Sequence, residues 1–198
     1  MFHIKQVIII AGPSCAGKTF LIDKIKQNAL PELRNQLGLS DPSSWQYVLA
    51  MDLDKVCQSS IDKLVIHYDL FEQQSKENEF NYLNKLISNS DMLTVVSLLA
   101  PRSVLMKRIR YRIFGLYLRK FGLRKKEYPG QRIQKCISIL QKKYRACQCG
   151  GSDVLYDRWF SYLNKNSVSK HFLIDSTKSY TTNISRHEPI EQKKIGVV

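Results

Sequence analysis

The stretch Val7-Ile8-Ile9-Ile10-Ala11-Gly12-Pro13-Ser14-Cys15-Ala16-Gly17-Lys18-Thr19-Phe20-Leu21-Ile22 joins an uninterrupted apolar run to a glycine-bounded loop and then to a helical pattern. A short apolar run closed by a turn signal predicts a strand covered on both faces, as in a parallel sheet. Gly12 to Thr19 satisfies G-x-x-x-x-G-K-[ST] in full, at the strand-to-helix junction where that pattern has a mechanism. Glycine lets the backbone turn tightly enough for successive N–H groups to converge on an anion, and the following helix adds its positive end. Gly12, Ser14, Cys15, Ala16, Gly17, Lys18, Thr19 and Phe20 are therefore the candidate contacts to a nucleoside triphosphate. Lys18 is expected to reach the β- and γ-phosphates, and the Thr19 hydroxyl to ligate Mg²⁺.

At 198 residues, with 43% apolar content, the chain fits one domain with a core of ordinary size. Its longest apolar runs are of strand length, which predicts no transmembrane segment. The N-terminus lacks the layout of a signal peptide, so a cytosolic, cytoplasmic location is expected. Five cysteines (Cys15, Cys57, Cys136, Cys147 and Cys149) form no framework and suit reduced thiols. Cys147-x-Cys149 alone is too little for a structural zinc site, which takes four ligands.

The net charge of +14 is localised. Residues 102–145 hold 15 Lys and Arg against one acid, Glu127, so this stretch carries the whole excess and the remainder is balanced. Such a segment predicts a surface that meets something anionic, either nucleic acid or an anionic membrane.

Outward from the loop, a strand over about 5–11 leads to a helix over about 18–29, which Pro31 is expected to stop. Further strands are predicted at 47–51, 63–68, 93–99 and 171–174, with helices opening at Pro101 and running over 131–146 and around Trp159. Residues 147–151 read as a turn, and 176–198, polar and unpatterned, as a loosely held tail after a domain spanning 1–175. Strands alternating with helices imply an α/β fold whose ligands sit at the carboxyl ends of the strands. Asp52, Asp54 and Asp69 all fall at such ends and face the loop. Asp52 and Asp54 also suit the cap of a helix near Lys55, and His67, inside its strand, reads as a packed histidine.

These residues resemble the P-loop kinases, the group that contains nucleoside monophosphate kinases, shikimate kinase and gluconate kinase. The Gly-Pro-Ser-x-x-Gly-Lys-Thr of 12–19 is most similar to guanylate kinase, whereas Asp52-Leu53-Asp54 resembles the D-x-D of shikimate and gluconate kinases. Val65-Ile66-His67-Tyr68-Asp69 resembles a degenerate Walker B strand. Leu105-x-x-Arg108-x-x-x-Arg112 resembles the pattern that opens the nucleotide-kinase lid, and its spacing of four sets both arginines on one helical face. The resemblance spans about residues 5–112 in pattern and the fifth strand in position. It implies a three-layer P-loop NTPase fold with a five-stranded parallel sheet and a basic, helical, lid-like segment. It also implies ATP and Mg²⁺ as cofactors, and transfer of the γ-phosphate to a hydroxyl or phosphate of an unidentified small molecule or nucleotide. In that assignment Asp54 orients or deprotonates the acceptor, and Asp52, Asp69 and Thr19 hold Mg²⁺. Lys18, Arg108 and Arg112 then neutralise the transferring group.

The basic segment opens other readings, because Arg110-Tyr111-Arg112-Ile113-Phe114 and Leu116-Tyr117-Leu118-Arg119-Lys120-Phe121 interleave aromatics with cations. A nucleic-acid-binding P-loop ATPase or polynucleotide end kinase would use that pattern for stacking and phosphate neutralisation. A helix lying on an anionic membrane would bury Phe114, Leu118 and Phe121, whereas a plain lid would pack its aromatics inward.

Overall fold

The computed structural model describes residues 3–39, 41–50, 61–73, 81–121, 130–166, 168–178 and 184–186. Strand β1 (Ile4–Gly12) is the axis of the fold, buried continuously from Val7 to Gly12. Alternate side chains leave a strand on opposite faces, and β1 obeys that period from Val7 to Ala11. Ile8 and Ile10 enter one apolar cluster, and Val7, Ile9 and Ala11 enter the other.

Around β1 the sheet runs in the order β2 (Gln46–Leu49), β3 (Lys63–Asp69), β1, β4 (Ser90–Leu99), β5 (Lys170–Asp175), β6 (Ile184–Arg186). The first five strands are mutually parallel, as the sequence predicts. The sixth is a correction. Residues 184–186 lie in the stretch expected to be a loose tail, yet they pair antiparallel with β5 through Phe172–Arg186, Leu173–Ser185 and Ile174–Ile184.

Seven helices are present among the described residues. Helices α1 (Lys18–Lys26), α2 (Pro31–Leu37), α5 (Arg102–Lys120) and α6 (Gly130–Gln148) cover the face of Ile8 and Ile10. The short α3 (Leu70–Gln73), α4 (Asn81–Ser88) and α7 (Gly151–Lys165) cover the other face. The result is three layers with the sheet in the middle. Pro31, expected to stop the first helix, instead opens α2 as its first residue, a position where the missing N–H costs nothing. The turn expected over 147–151 narrows to Cys149 and Gly150, because α6 continues to Gln148 and α7 begins at Gly151. Gly151 is required there, since a Cβ would come within 2.7 Å of the Ala146 carbonyl oxygen.

Helix α7 pins the carboxyl end of β4. Trp159, fully buried, donates its indole N–H to Ser97 Oγ at 2.8 Å and stacks on Tyr68 at 5.3 Å between centroids. Tyr156 donates to the Leu98 carbonyl at 2.9 Å and accepts from the Ala100 amide at 3.1 Å. Helices α5 and α6 form an antiparallel pair, shown by Arg102 bonding the Gln148 carbonyl, Gln141 the Tyr117 hydroxyl and Lys120 the Gln134 side chain. Among the described residues no helix is long and apolar enough to cross a membrane.

The strand order reverses direction at β1: the chain builds β2 and β3 on one side of it and β4 and β5 on the other. In an open α/β sheet that reversal leaves a crevice at the carboxyl ends of the strands. Gly12 and Asp69 are register partners at that edge.

Candidate functional site

Between β1 and α1 the chain reverses within five residues, and the backbone there takes unusual conformations. Cys15 has φ +66° and Gly17 has φ +107°, both in the left-handed region that side chains disfavour. Ala16 N–H closes the turn on the Pro13 carbonyl at 3.1 Å. Gly12 lies so close to β4 that a Cβ would meet the Leu98 carbonyl oxygen at 3.0 Å and the Ala16 Cβ at 3.2 Å. Gly17 is the N-cap of α1 and supplies no side-chain cap, and the first intrahelical bond is Leu21 N–H to the Gly17 carbonyl at 2.9 Å. The amides of Lys18 and Thr19 precede that bond, at the positive end of the helix dipole.

Under the loop lies a buried charged group. Lys18 is 3% exposed, and its ammonium donates to the carbonyls of Gly12 and Pro13, each at 2.7 Å, and to Asp69 Oδ2 at 3.3 Å. An ammonium has three N–H groups, and all three have acceptors. Asp69 Oδ2 also accepts from Ser14 Oγ at 2.6 Å, and Oδ1 accepts the Phe71 amide at 3.0 Å. Burial depresses the Lys18 pKa, with the neighbouring Asp69 carboxylate opposing the shift. Burial alone would raise the Asp69 carboxyl, but the ammoniums of Lys18 and Lys143 and the Ser14 hydroxyl outweigh it and hold it below its usual value. His67, whose Nε2 is 3.5 Å from Thr19 Oγ1, is pushed down to about 4 by burial and by the Lys18 charge, so it is neutral at pH 7.

Helices α5 and α6 wall the other side. Arg108 donates to the loop carbonyls of Ala16 at 3.2 Å and Cys15 at 3.4 Å, and to Ser176 Oγ at 2.9 Å and the Ser176 carbonyl at 2.6 Å. One turn on, Arg112 Nη1 lies 3.9 Å from the Cys15 sulfur. From α6, Lys143 donates to Ser14 Oγ at 2.5 Å and to Glu72 Oε1 at 2.9 Å. The proton order is therefore Lys143 to Ser14 to Asp69, one hydroxyl accepting from a cation and donating to a carboxylate. These walls and the loop enclose a cleft of about 960 Å³. Its described lining carries six cations (Lys18, Arg108, Arg112, Arg119, Arg132 and Lys143) against two acids, Asp69 and Glu72. Such a cleft attracts an anion before any contact forms.

Of the residues expected from sequence, Ser14, Cys15, Gly17, Lys18, Thr19, Phe20, Asp69, Arg108 and Arg112 all line this one cleft. Gly12 and Ala16 are buried behind it and shape the loop, and Phe20 stands at its lip, 53% exposed. Asp52 and Asp54 lie outside the described residues; Leu49 and Ala50, which precede them, line the cleft. Arg108 differs in one respect from a free clamp, because its guanidinium is bonded to loop carbonyls and Ser176. Lys143, Glu72, Arg132 and Ser176 were not anticipated. Their signal in the sequence is faint: Arg132, Cys136, Ile139 and Lys143 form a helical stripe, indistinguishable from a solvated face until α6 is docked.

No protein-family model matches the chain. No curated protein matches it either.

Proposed function

We propose that this chain is an ATP-dependent phosphotransferase of the P-loop kinase type, acting on a small molecule or nucleotide. The observation that supports this most directly is Lys18, a buried ammonium fastened to the loop at the start of α1, at the floor of a cation-lined cleft. Burying a lysine is costly unless it is paired, and titratable groups perturbed in a cleft are characteristic of functional sites. The residues present fit Mg-ATP. Gly12, with no room for a Cβ, seats the loop against β4 with the start of α1 facing the cleft, and Mg²⁺, which keeps several waters, needs only the Thr19 hydroxyl and a carboxylate from the protein. When bound, Mg-ATP supplies the transferable γ-phosphoryl group and part of its charge neutralisation.

The chain's own residues divide the remaining work. Lys18 would hold a phosphate oxygen in place of a loop carbonyl, with Asp69 keeping it charged and aimed. Asp69 is already committed to Lys18, Ser14 and the Phe71 amide, so in this reading it acts on the ion through water. Arg112 of α5 and Lys143 of α6 would neutralise the transferring group, and Arg108 fixes the loop rather than clamping phosphate. Asp54 remains the proposed acceptor-side base, and Asp52 a proposed Mg²⁺ ligand.

Calorimetry with Mg-ATP on the wild type and Lys18→Ala tests the donor site, and unchanged affinity in the variant would overturn it. Screening nucleotides, sugars, small alcohols and oligonucleotide ends for phosphate transfer, beside an acceptor-free ATPase control, tests the reaction class.

A further inference from the structure

Helix α5 has a second face, turned away from the loop, and it is built unlike a lid. A groove of about 1130 Å³ runs between the outer sides of α5 and α6, lined by the aromatics Tyr111, Phe114, Tyr117 and Tyr144 and the cations Lys107 and Arg110. Among the described residues no carboxylate lines it, and none occurs in the sequence of α5 or α6. Tyr111 is 65% exposed and Phe114 61%, so neither packs inward as a lid helix would require. The inward stripe of α5 is made instead by Leu105 and Ile109, both fully buried. Tyr111 also lines the loop cleft and so stands between groove and cleft.

We propose that this outer groove binds single-stranded nucleic acid, with bases stacked on Tyr111 and Phe114 and phosphates neutralised by Lys107 and Arg110. Residues three apart on a helix step by about 4.5 Å along its axis, so the exposed rings of Tyr111 and Phe114 offer successive stacking surfaces on the scale of one nucleotide. Exposed aromatic faces interleaved with uncompensated cations are what an unpaired strand requires, because every base has a π-face and every linkage a charge. A second copy of the chain would bring like charge against like. An interfacial membrane helix needs one continuous apolar face, whereas the outer face of α5 is interrupted by Lys107 and Arg110. The inference stands apart from the nucleotide reading, since none of its contacts involves Lys18.

The test is fluorescence anisotropy of the full chain with labelled 20-mers of dT and of U, titrated at several salt concentrations. Binding is expected to weaken steeply with salt, and Tyr111→Ala with Phe114→Ala to raise Kd at least tenfold while leaving the salt slope intact. Lys107→Gln with Arg110→Gln is expected to flatten the slope by about 1.4, two phosphates at roughly 0.7 each. Circular dichroism and melting of each variant verify the fold, and Lys18→Ala is expected to bind the strands like wild type even if its nucleotide binding is lost. The proposal is overturned if neither 20-mer binds at 50 mM salt, if the aromatic pair leaves Kd unchanged, or if the face binds phosphatidylserine vesicles in place of the oligonucleotides.

Discussion

A lysine this deeply buried stays charged only through its acceptors, and among the described residues Asp69 is the one carboxylate bonded to Lys18. Asp69→Asn leaves the ammonium with two carbonyls and no countercharge. Breaking a buried pair from one side typically costs about 3–5 kcal/mol, so chemical denaturation of Asp69→Asn should show a loss of that order. His67 makes a separate prediction about pH. Its folded pKa, about 4, lies below the ordinary value of 6.5, so the unfolded chain binds the extra proton across that window. Stability is therefore expected to fall from pH 6.5 to 4, by up to about 3 kcal/mol from this one group, and to stop falling on its account below that. Asp69, held below its normal value of 3.8, contributes stability that is lost only at lower pH still. His67→Gln should flatten the upper ramp in a pH series of melts and leave the lower one; an unaltered upper ramp would mean the imidazole is not the titrating group.

At the level of the element, the loop depends on its fit between β4 and α5. Gly12→Ala pushes a methyl toward the Leu98 carbonyl and the Ala16 side chain, both backed by rigid structure, and should cost roughly 1–3 kcal/mol together with nucleotide affinity. The two arginines of α5 should separate cleanly. Arg108→Ala removes bonds to two loop carbonyls and Ser176 and should lower the melting temperature, whereas Arg112→Ala should change stability by less than about 0.5 kcal/mol and act on phosphate transfer instead. Equal melting temperatures for the two variants would contradict the division. The loop was legible in the sequence because its chemistry is local: glycines, a lysine and a hydroxyl at fixed offsets between a strand and a helix. Strands β1, β3 and β4 were legible because burial on both faces leaves nearly continuous apolar runs. Pro31 was ambiguous in principle, since proline both ends one helix and begins the next. Strand β6 left no apolar alternation in Ile184-Ser185-Arg186, and it pairs with the otherwise open edge of β5. Lys143 reaches Ser14 across 129 positions of sequence, and only the docking of α6 on the loop makes that contact.

For the whole molecule, a ligand that binds only the folded state raises its stability by mass action. Mg-ATP at about 100 times its Kd should add about 2.7 kcal/mol, a rise of roughly 5–10 °C for a domain of this size, and Lys18→Ala should abolish the rise. The two faces of the sheet also carry different natural fluorophores. Of the chain's two tryptophans, Trp45 is buried in the cluster with α1 and α2, and Trp159 in the cluster with α7, so the central sheet stands between them. Each layer thus reports its own melting in emission, without any label. Trp45→Phe leaves a probe of one layer and Trp159→Phe a probe of the other. Superimposable curves would show that the layers come apart together, and staggered curves would identify which side of the molecule lets water in first.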